Sequence, residues 1–355
     1  MKPIVAVPAI AALVYRAWSR KSLTPAGIVV AAATAVAHAV HPWSVFFTLL
    51  VVFFLTGTAA TKVKHDVKAR LTQSSSGASG GEGARTHVQV LANSLVASIL
   101  ILLHAYQLSR SSPSKTECWS PATDLPVVGI VANYAAVASD TLSSELGILS
   151  TSRPRLITAP WHAVPPGTNG GVTAGGLLAG ALGAAIVALT AVALTPFCAA
   201  WPLAAKGAFV AAITAVGVGG SLLDSLLGAL LQASVVDVRT GRVVEGEGGR
   251  KVPVHGAESL HLKQRAKVRG AEDTATSSGV QTRSKAAAKA RAGETLGSIV
   301  PKEGTHQESR RIETGRDVLS NNGVNLLMAA SASVAAMVSA ALVWGVPLSD
   351  AFTVS

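Results

Sequence analysis

The chain has 355 residues, 49% of them hydrophobic and only 14% charged, with a mean hydropathy of +0.44. Soluble domains carry about a quarter charged residues, so this composition excludes an ordinary soluble enzyme and points to a membrane protein surrounded by lipid. The formal charge of +11 lies in segments between apolar runs and has few aromatics among it, which argues against a nucleic-acid partner and for positive-inside topology.

A spanning helix needs about 20 mostly apolar residues. The predicted spans, in order, are 3–18, 24–41, 43–61, 88–108, 126–146, 172–197, 203–222 and 323–345. The first follows Met1-Lys2 and has no convincing cleavage site before Arg16, so it is read as a retained helix. Pro42 marks a tight reversal between two apolar runs. Residues 223–236 either extend the seventh span or lie as a half-helix at the interface. The expected fold class is all-α, a polytopic transmembrane helix bundle of about eight spans with a long disordered cytosolic loop. Its expected parts are a bundle over 1–236 with a flexible loop near 72–86, a basic and largely disordered insertion over 237–316, and the last helix with the C-terminus over 317–355. The core of that insertion, 245–310, is too polar to offset its chain entropy.

Charge sets the orientation. Residues 62–87 hold Lys62, Lys64, Lys68, Arg70 and Arg85 against Asp66 and Glu82, and 237–316 holds 16 Lys/Arg against 10 Asp/Glu. Both stretches, the 147–171 loop with Arg153 and Arg155, and the Arg16 to Lys21 turn fall on one side, which is therefore expected to be cytosolic. Cys118 and Cys198 match no metal or redox spacing, and a disulfide between them on one membrane side stays open. Gly176, Gly180 and Gly183 have the small-residue spacing that suits close helix packing in lipid.

Five polar strings interrupt the apolar pattern. Asp140 and Glu145 lie in Ser139-Asp140-Thr141-Leu142-Ser143-Ser144-Glu145, with Ser144 one turn beyond Asp140. A charge near the bilayer core is costly and is by default a functional-site candidate; two carboxylates at a helix end suit one divalent ion, and the alternative is pairing with Lys or Arg from a neighbouring helix. Gly167, Thr168, Asn169, Gly170 and Gly171 precede an apolar helix, either as backbone N–H donors converging on an anion or as a turn with an Asn cap. Ser221, Asp224 and Ser225 begin a polar stripe on the seventh span. Asp317, Asn321, Asn322 and Asn325 precede or open the last span, where one asparagine is expected to cap the helix. Lys62 and Lys64 end the third span and either neutralise phosphate or mark the boundary. All five strings fall at the cytosolic ends of spans, which predicts one shared site.

The series Lys62-Val-Lys64, Asp140-Thr-Leu-Ser-Ser-Glu145-Leu-Gly147, Gly167-Thr-Asn-Gly-Gly171, Gly220-Ser-Leu-Leu-Asp224-Ser and Asp317-Val-Leu-Ser-Asn321-Asn322-Gly-Val-Asn325 resembles the transmembrane protein 19 family over most of residues 24–345. That family includes the plant phytyl-phosphate kinase. The resemblance implies phosphorylation of an isoprenoid monophosphate to the diphosphate, with CTP or another nucleoside triphosphate as donor. Asp140-x-x-Ser143-x-x-x-Gly147 is also similar to a loose form of the nucleotide motif of CTP-dependent dolichol kinases, where Ala is commoner than Ser.

The first functional expectation is therefore a Mg2+-dependent lipid-phosphate kinase. Asp140, Glu145 and Asp224 would hold metal, Lys62 and Lys64 would offset charge, and Gly167 to Gly171 would cradle phosphate. Ser144, Ser221, Ser225, Asp317, Asn321, Asn322 and Asn325 complete the expected substrate site. A proton- or ion-coupled transporter using Asp140 and Asp224, and a non-catalytic scaffold, stand beside it as alternatives. The endoplasmic reticulum is the default membrane; the sequence does not set the organelle or the oligomeric state.

Overall fold

A computed structural model of the chain describes residues 1–75, 83–110, 118–120, 122–254 and 310–352. The chain divides into two units: Met1–Val236 with Gly241–Val252 and Ile312–Ser355, and a second of Asp237–Thr240 with Pro253–Arg311. In the second unit, Asp237 Oδ1 accepts from the backbone N–H of Arg239 (2.9 Å) and Thr240 (3.0 Å). Partial burial pushes the Asp237 carboxyl up, and these hydrogen bonds outweigh it and hold the group below its ordinary range. Most of the expected 245–310 loop lies outside the described residues.

The first unit is a helix bundle. Its helices are α1 (Pro3–Ser19), α2 (Pro25–Val40), α3 (Val45–Lys62), α4 (His65–Leu71), α5 (His87–Arg110), α6 (Leu125–Gly147), α7 (Ala174–Leu194), α8 (Leu203–Leu231) and α9 (Asn321–Trp344). Six of them, α3 and α5 to α9, are long and apolar enough to cross a membrane, while α1 and α2 are shorter apolar helices. All eight predicted spans are thus helical, and the chain is a polytopic membrane bundle. Residues 223–231 continue α8 without a break, which removes the half-helix alternative.

Local chemistry sets the helix ends. Thr24 caps α2 by accepting from Gly27 N–H at 3.1 Å, with Pro25 at the first helical position, where its missing N–H costs nothing. His41 is extended ahead of Pro42, because proline disfavours helix in the residue before it. Thr173 caps α7 through Gly176 N–H (3.0 Å). Ser320 caps α9 through Gly323 N–H (3.3 Å), so the expected asparagine cap is corrected to serine.

Helix α6 is the centre. It packs against α3, α5, α7, α8 and α9, and 89% of its membrane window is buried, against 22–44% for the other five long helices. The approach is close because small residues face each other. A Cβ at Gly183 would stand 2.7 Å from the Ala138 carbonyl oxygen, and one at Gly217 would stand 2.5 Å from Ala184 Cβ. No real Cβ tolerates such distances, so these glycines set the helix separations.

Two small sheets, absent from the all-α reading, join the loops at the basic end. In one, β1 (Thr72–Ser74) runs parallel to β6 (Val243–Glu245), which pairs antiparallel with β5 (Ser234–Asp237) through Val235–Val244 and Val236–Val243. In the other, β2 (Arg155–Leu156) lies between β3 (Ala159–Ala163) and β4 (Gly171–Val172). Within the expected 237–316 insertion, β6, a 3-10 turn at Glu247–Gly249 and the strand β7 (Arg310–Thr314) are therefore regular structure.

The opposite end is closed covalently. Cys118 and Cys198 form a disulfide across a sequence separation of 80, beside a cluster of Trp119, Phe197, Trp201, Phe209 and Trp344 rings. Nearby, Trp43 N–H donates to His41 Nδ1 (3.0 Å), which leaves the proton on Nε2 facing His104 Nδ1 at 3.0 Å. His104 Nε2 stands 3.4 Å from Asp124 Oδ1, within ion-pair range but without hydrogen-bond geometry. Closing a loop of that length by a crosslink is worth up to about 4 kcal/mol. The double substitution Cys118→Ser/Cys198→Ser should therefore lower the melting temperature in detergent, and reductant should lower it in the wild type alone; equal melting in all cases would contradict the crosslink.

Candidate functional site

One cleft of about 810 Å³ opens at the basic end of the bundle. Asp140, Ser144 and Glu145 of α6, Ser221, Asp224 and Ser225 of α8, Asp317, Asn321 and Asn325 at the start of α9, and the Gly167 to Gly171 loop all line it. Four of the five polar strings thus converge on one surface. The fifth does not: Lys62 and Lys64 are exposed and are not among the lining residues. Asn322 is buried behind the cleft, where its Nδ2 donates to the Gly248 carbonyl at 2.9 Å.

At the floor, α6, α8 and α9 meet. Asp140 acts on Asp224 as a nearby like charge. Ser143 Oγ and Ser221 Oγ are 3.0 Å apart and tie α6 to α8. The Asn325 amide, with its nitrogen turned toward acceptors, donates to Asp224 Oδ2 (3.2 Å) and to the Asn321 carbonyl (2.9 Å). Ser144 is turned away from this work, since its hydroxyl donates back to the Asp140 and Thr141 carbonyls at 3.0 and 3.1 Å. Counting one helical turn per 3.6 residues, Asp140 and Asp224 each stand about 10 Å inside the ends of their helices.

Glu145 has a different role. It is paired with Lys68 of α4, both side chains being almost entirely out of solvent. Thr61 Oγ1 donates to the other carboxylate oxygen of Glu145 at 3.0 Å, and Lys68 Nζ also donates to the Ala60 carbonyl at 2.9 Å. Arg85 Nη2 donates to Thr61 Oγ1 at 3.2 Å and completes a chain across α3, α4 and α6. Of the two readings of this acid, pairing with a neighbouring cation is the one the structure adopts. Among the described residues no group of three or more His, Cys, Asp and Glu is arranged to hold a metal. Of the three expected metal ligands, Glu145 is engaged by Lys68, while Asp140 and Asp224 line the cleft. Two repelling carboxylates on facing helices fit a shared Mg2+, which is commonly held by one or two carboxylates together with substrate phosphates.

The glycine loop is likewise more constrained than its sequence suggests. Thr168 N–H donates to the Pro165 carbonyl (3.2 Å), Asn169 N–H to Ser234 Oγ (2.9 Å) and Gly171 N–H to the Thr168 carbonyl (2.9 Å). Three of the N–H groups of the supposed phosphate cradle are thus already engaged within the protein. What the loop does require is close approach: at Gly170, with φ +78°, a Cβ would fall 2.4 Å from Ala229 Cβ. The loop seals one wall of the cleft against α8.

The cations that line the cleft are ones the motifs did not reveal. Arg85, Arg250 and Lys251 all line the cleft, and Lys251 Nζ is 3.1 Å from Asp317 Oδ1. Arg85 could be found in the sequence only as one charge among several in a loop. Lys68 was visible there too, but nothing in the spacing joins it to Glu145, 77 residues away.

A family model described as integral membrane protein DUF92 matches residues 8–333, which spans every polar string. Protein PGR of Arabidopsis thaliana is 35% identical over 251 residues, covering 70% of this chain and 85% of its own length. An uncharacterized membrane protein of Methanocaldococcus jannaschii is 33% identical over 187 residues, covering 53% of this chain and 65% of its own length. No solved structure matches.

Removing one member of a buried ion pair leaves the other charge uncompensated, at a cost of about 3–5 kcal/mol, whereas replacing both with apolar residues is close to neutral. Lys68→Met should accordingly destabilise the protein strongly, and Lys68→Met/Glu145→Met should recover most of the loss in thermal melts. Additive losses in the double variant would show that the two side chains do not act as a pair.

Proposed function

The chain belongs to the DUF92 family of integral membrane proteins, and on that premise we propose that it is a kinase of a prenyl or other lipid monophosphate, working at the cytosolic face and using CTP or another nucleoside triphosphate. This reading keeps the likeness to the transmembrane protein 19 family and its phytyl-phosphate kinase. The observation that carries it is the meeting of Asp140 and Asp224, from two packed helices, in a polar cleft also lined by Arg85, Arg250 and Lys251.

Phosphoryl transfer needs positioning and charge neutralisation more than covalent chemistry from the protein. In the proposed reaction an oxygen of the lipid monophosphate takes the terminal phosphoryl group of the nucleotide, giving the lipid diphosphate and the nucleoside diphosphate. Mg2+ bound at Asp140 and Asp224 would neutralise phosphate charge. Asn325 orients Asp224 by its 3.2 Å hydrogen bond. The Ser143–Ser221 contact fixes the separation of the two acid-bearing helices. Arg85, Arg250 and Lys251, which line the cleft where Lys62 and Lys64 do not, would face phosphate. The helix ends set the cleft near one face of the membrane, whereas a carrier with alternating access places its site near the midplane.

The test is phosphorylation of prenyl monophosphates by purified protein with CTP and with ATP. Wild type should form diphosphate, and Asp140→Asn or Asp224→Asn should lower kcat by about a hundredfold or more, the scale on which a single preorganised electrostatic group counts. Undiminished turnover in both variants, with the protein folded, would remove the acid pair from the reaction.

A further inference from the structure

A strap from Gly246 to Lys251 follows β6, and every one of its residues lines the cleft. Its course is fixed at several points. Ser75 N–H donates to the Glu245 carbonyl (2.8 Å) just ahead of it, and Gly249 N–H closes the 3-10 turn on the Gly246 carbonyl (3.1 Å). Asn322 Nδ2 holds the Gly248 carbonyl from behind. Gly248 and Gly249 have φ of +64° and +73°. A Cβ would stand 2.7 Å from Thr86 Cγ2 at the first and 2.8 Å from Asn322 Oδ1 at the second, so only glycine allows both the turn and the close seat. At the far end Lys251 Nζ donates to the Asp317 and Val318 carbonyls at 2.9 and 3.1 Å and pairs with Asp317 Oδ1.

The three cleft cations differ in what they have left to offer a ligand. A lysine ammonium has three N–H donors, and those of Lys251 are met by Asp317 and Val318. Arg85 is committed to Thr61 and lies against Gly57. Arg250 is exposed, and among the described residues its guanidinium has no hydrogen-bond or ion-pair partner. It stays unspent although Asp140, Asp224, Glu245, Glu247 and Asp317 line the same cleft. The backbone on both sides of it is fixed, so the strap carries an available charge on a held support. A planar guanidinium matches the oxygens of a phosphate, and a support that is already ordered lowers the cost of binding one.

We infer that Arg250 is the cation that directly contacts a phosphate group of the substrate bound in the cleft. The inference deepens the kinase reading and rests on it for the presence of a phosphate. Nucleotide and lipid monophosphate share this chemistry, and either can supply the group. Lys251 is then a positioning residue that holds the strap, and Arg85 contributes its charge from an engaged side chain. Glu247, on the same strap, has no donor to give a phosphate and serves as the internal control.

The test is equilibrium binding to the full-length protein in nanodiscs, with CTP, ATP and farnesyl monophosphate titrated separately in the presence of Mg2+. Arg250→Gln should weaken the nucleotides or the farnesyl monophosphate about tenfold or more, the scale of a lost charge-assisted hydrogen bond. The ligand affected identifies which phosphate Arg250 contacts. Arg250→Lys keeps the charge and loses the fork, so its affinity should fall between those of wild type and Arg250→Gln. Glu247→Gln alters the same strap and should weaken none of the three. Unchanged affinity for every ligand in Arg250→Gln, an equal loss in Glu247→Gln, or no binding of any of them to folded wild type would overturn the inference. Binding needs no turnover. Affinity that depends on Arg250 in a protein that forms no diphosphate would sink the kinase reading and still support the phosphate contact.

Discussion

Helix α6 has almost no lipid-facing side, and that constraint organises the rest of the bundle. A helix in a membrane gains little from hydrophobic contact with its neighbours, because lipid tails are as apolar as leucine. Its association depends on close packing and on polar contacts. The small residues of α6, α7 and α8 permit that packing, and the enclosure surrounds Asp140, about 10 Å inside the end of its helix, with protein. The same enclosure brings Asp224 of α8 and Asn325 of α9 to the floor of one cleft.

The two acids of α6 show how position decides chemistry. Glu145, nearer the helix end, is engaged by Lys68 and Thr61. That arrangement joins α6 to α3 and α4 and leaves little of the carboxylate for a ligand. Asp140 and Asp224 come together from α6 and α8, where each acts on the other as a like charge. The distinction makes Glu145 a support of the cleft wall beside the acid pair.

Much of this organisation was legible in the sequence because apolar length and the placement of polar strings are local signals. Eight predicted spans became helices, the break at Gly147 ends α6, and four of the five strings share a cleft. What was not legible depended on contacts between distant segments. The Lys68–Glu145 pair needs α4 folded back on α6, and Ser320 rather than an asparagine caps α9, which leaves Asn321 and Asn325 in the cleft. The glycine loop has the composition of an anion cradle, but two of its N–H groups close turns within the loop and that of Asn169 is taken by Ser234, a partner that only the fold supplies. Short strands such as β4 and β6 are too brief to produce a readable alternation.

Divalent-cation binding to the acid pair tests this account most directly. Mn2+ suits the same oxygen ligands as Mg2+, and its binding to the solubilised protein can be titrated by electron paramagnetic resonance without any substrate. One site is expected, losing at least tenfold in affinity in Asp140→Asn and in Asp224→Asn but retained in Lys68→Met/Glu145→Met. Loss of the ion on removing the Lys68–Glu145 pair, with binding intact in both aspartate variants, would contradict it.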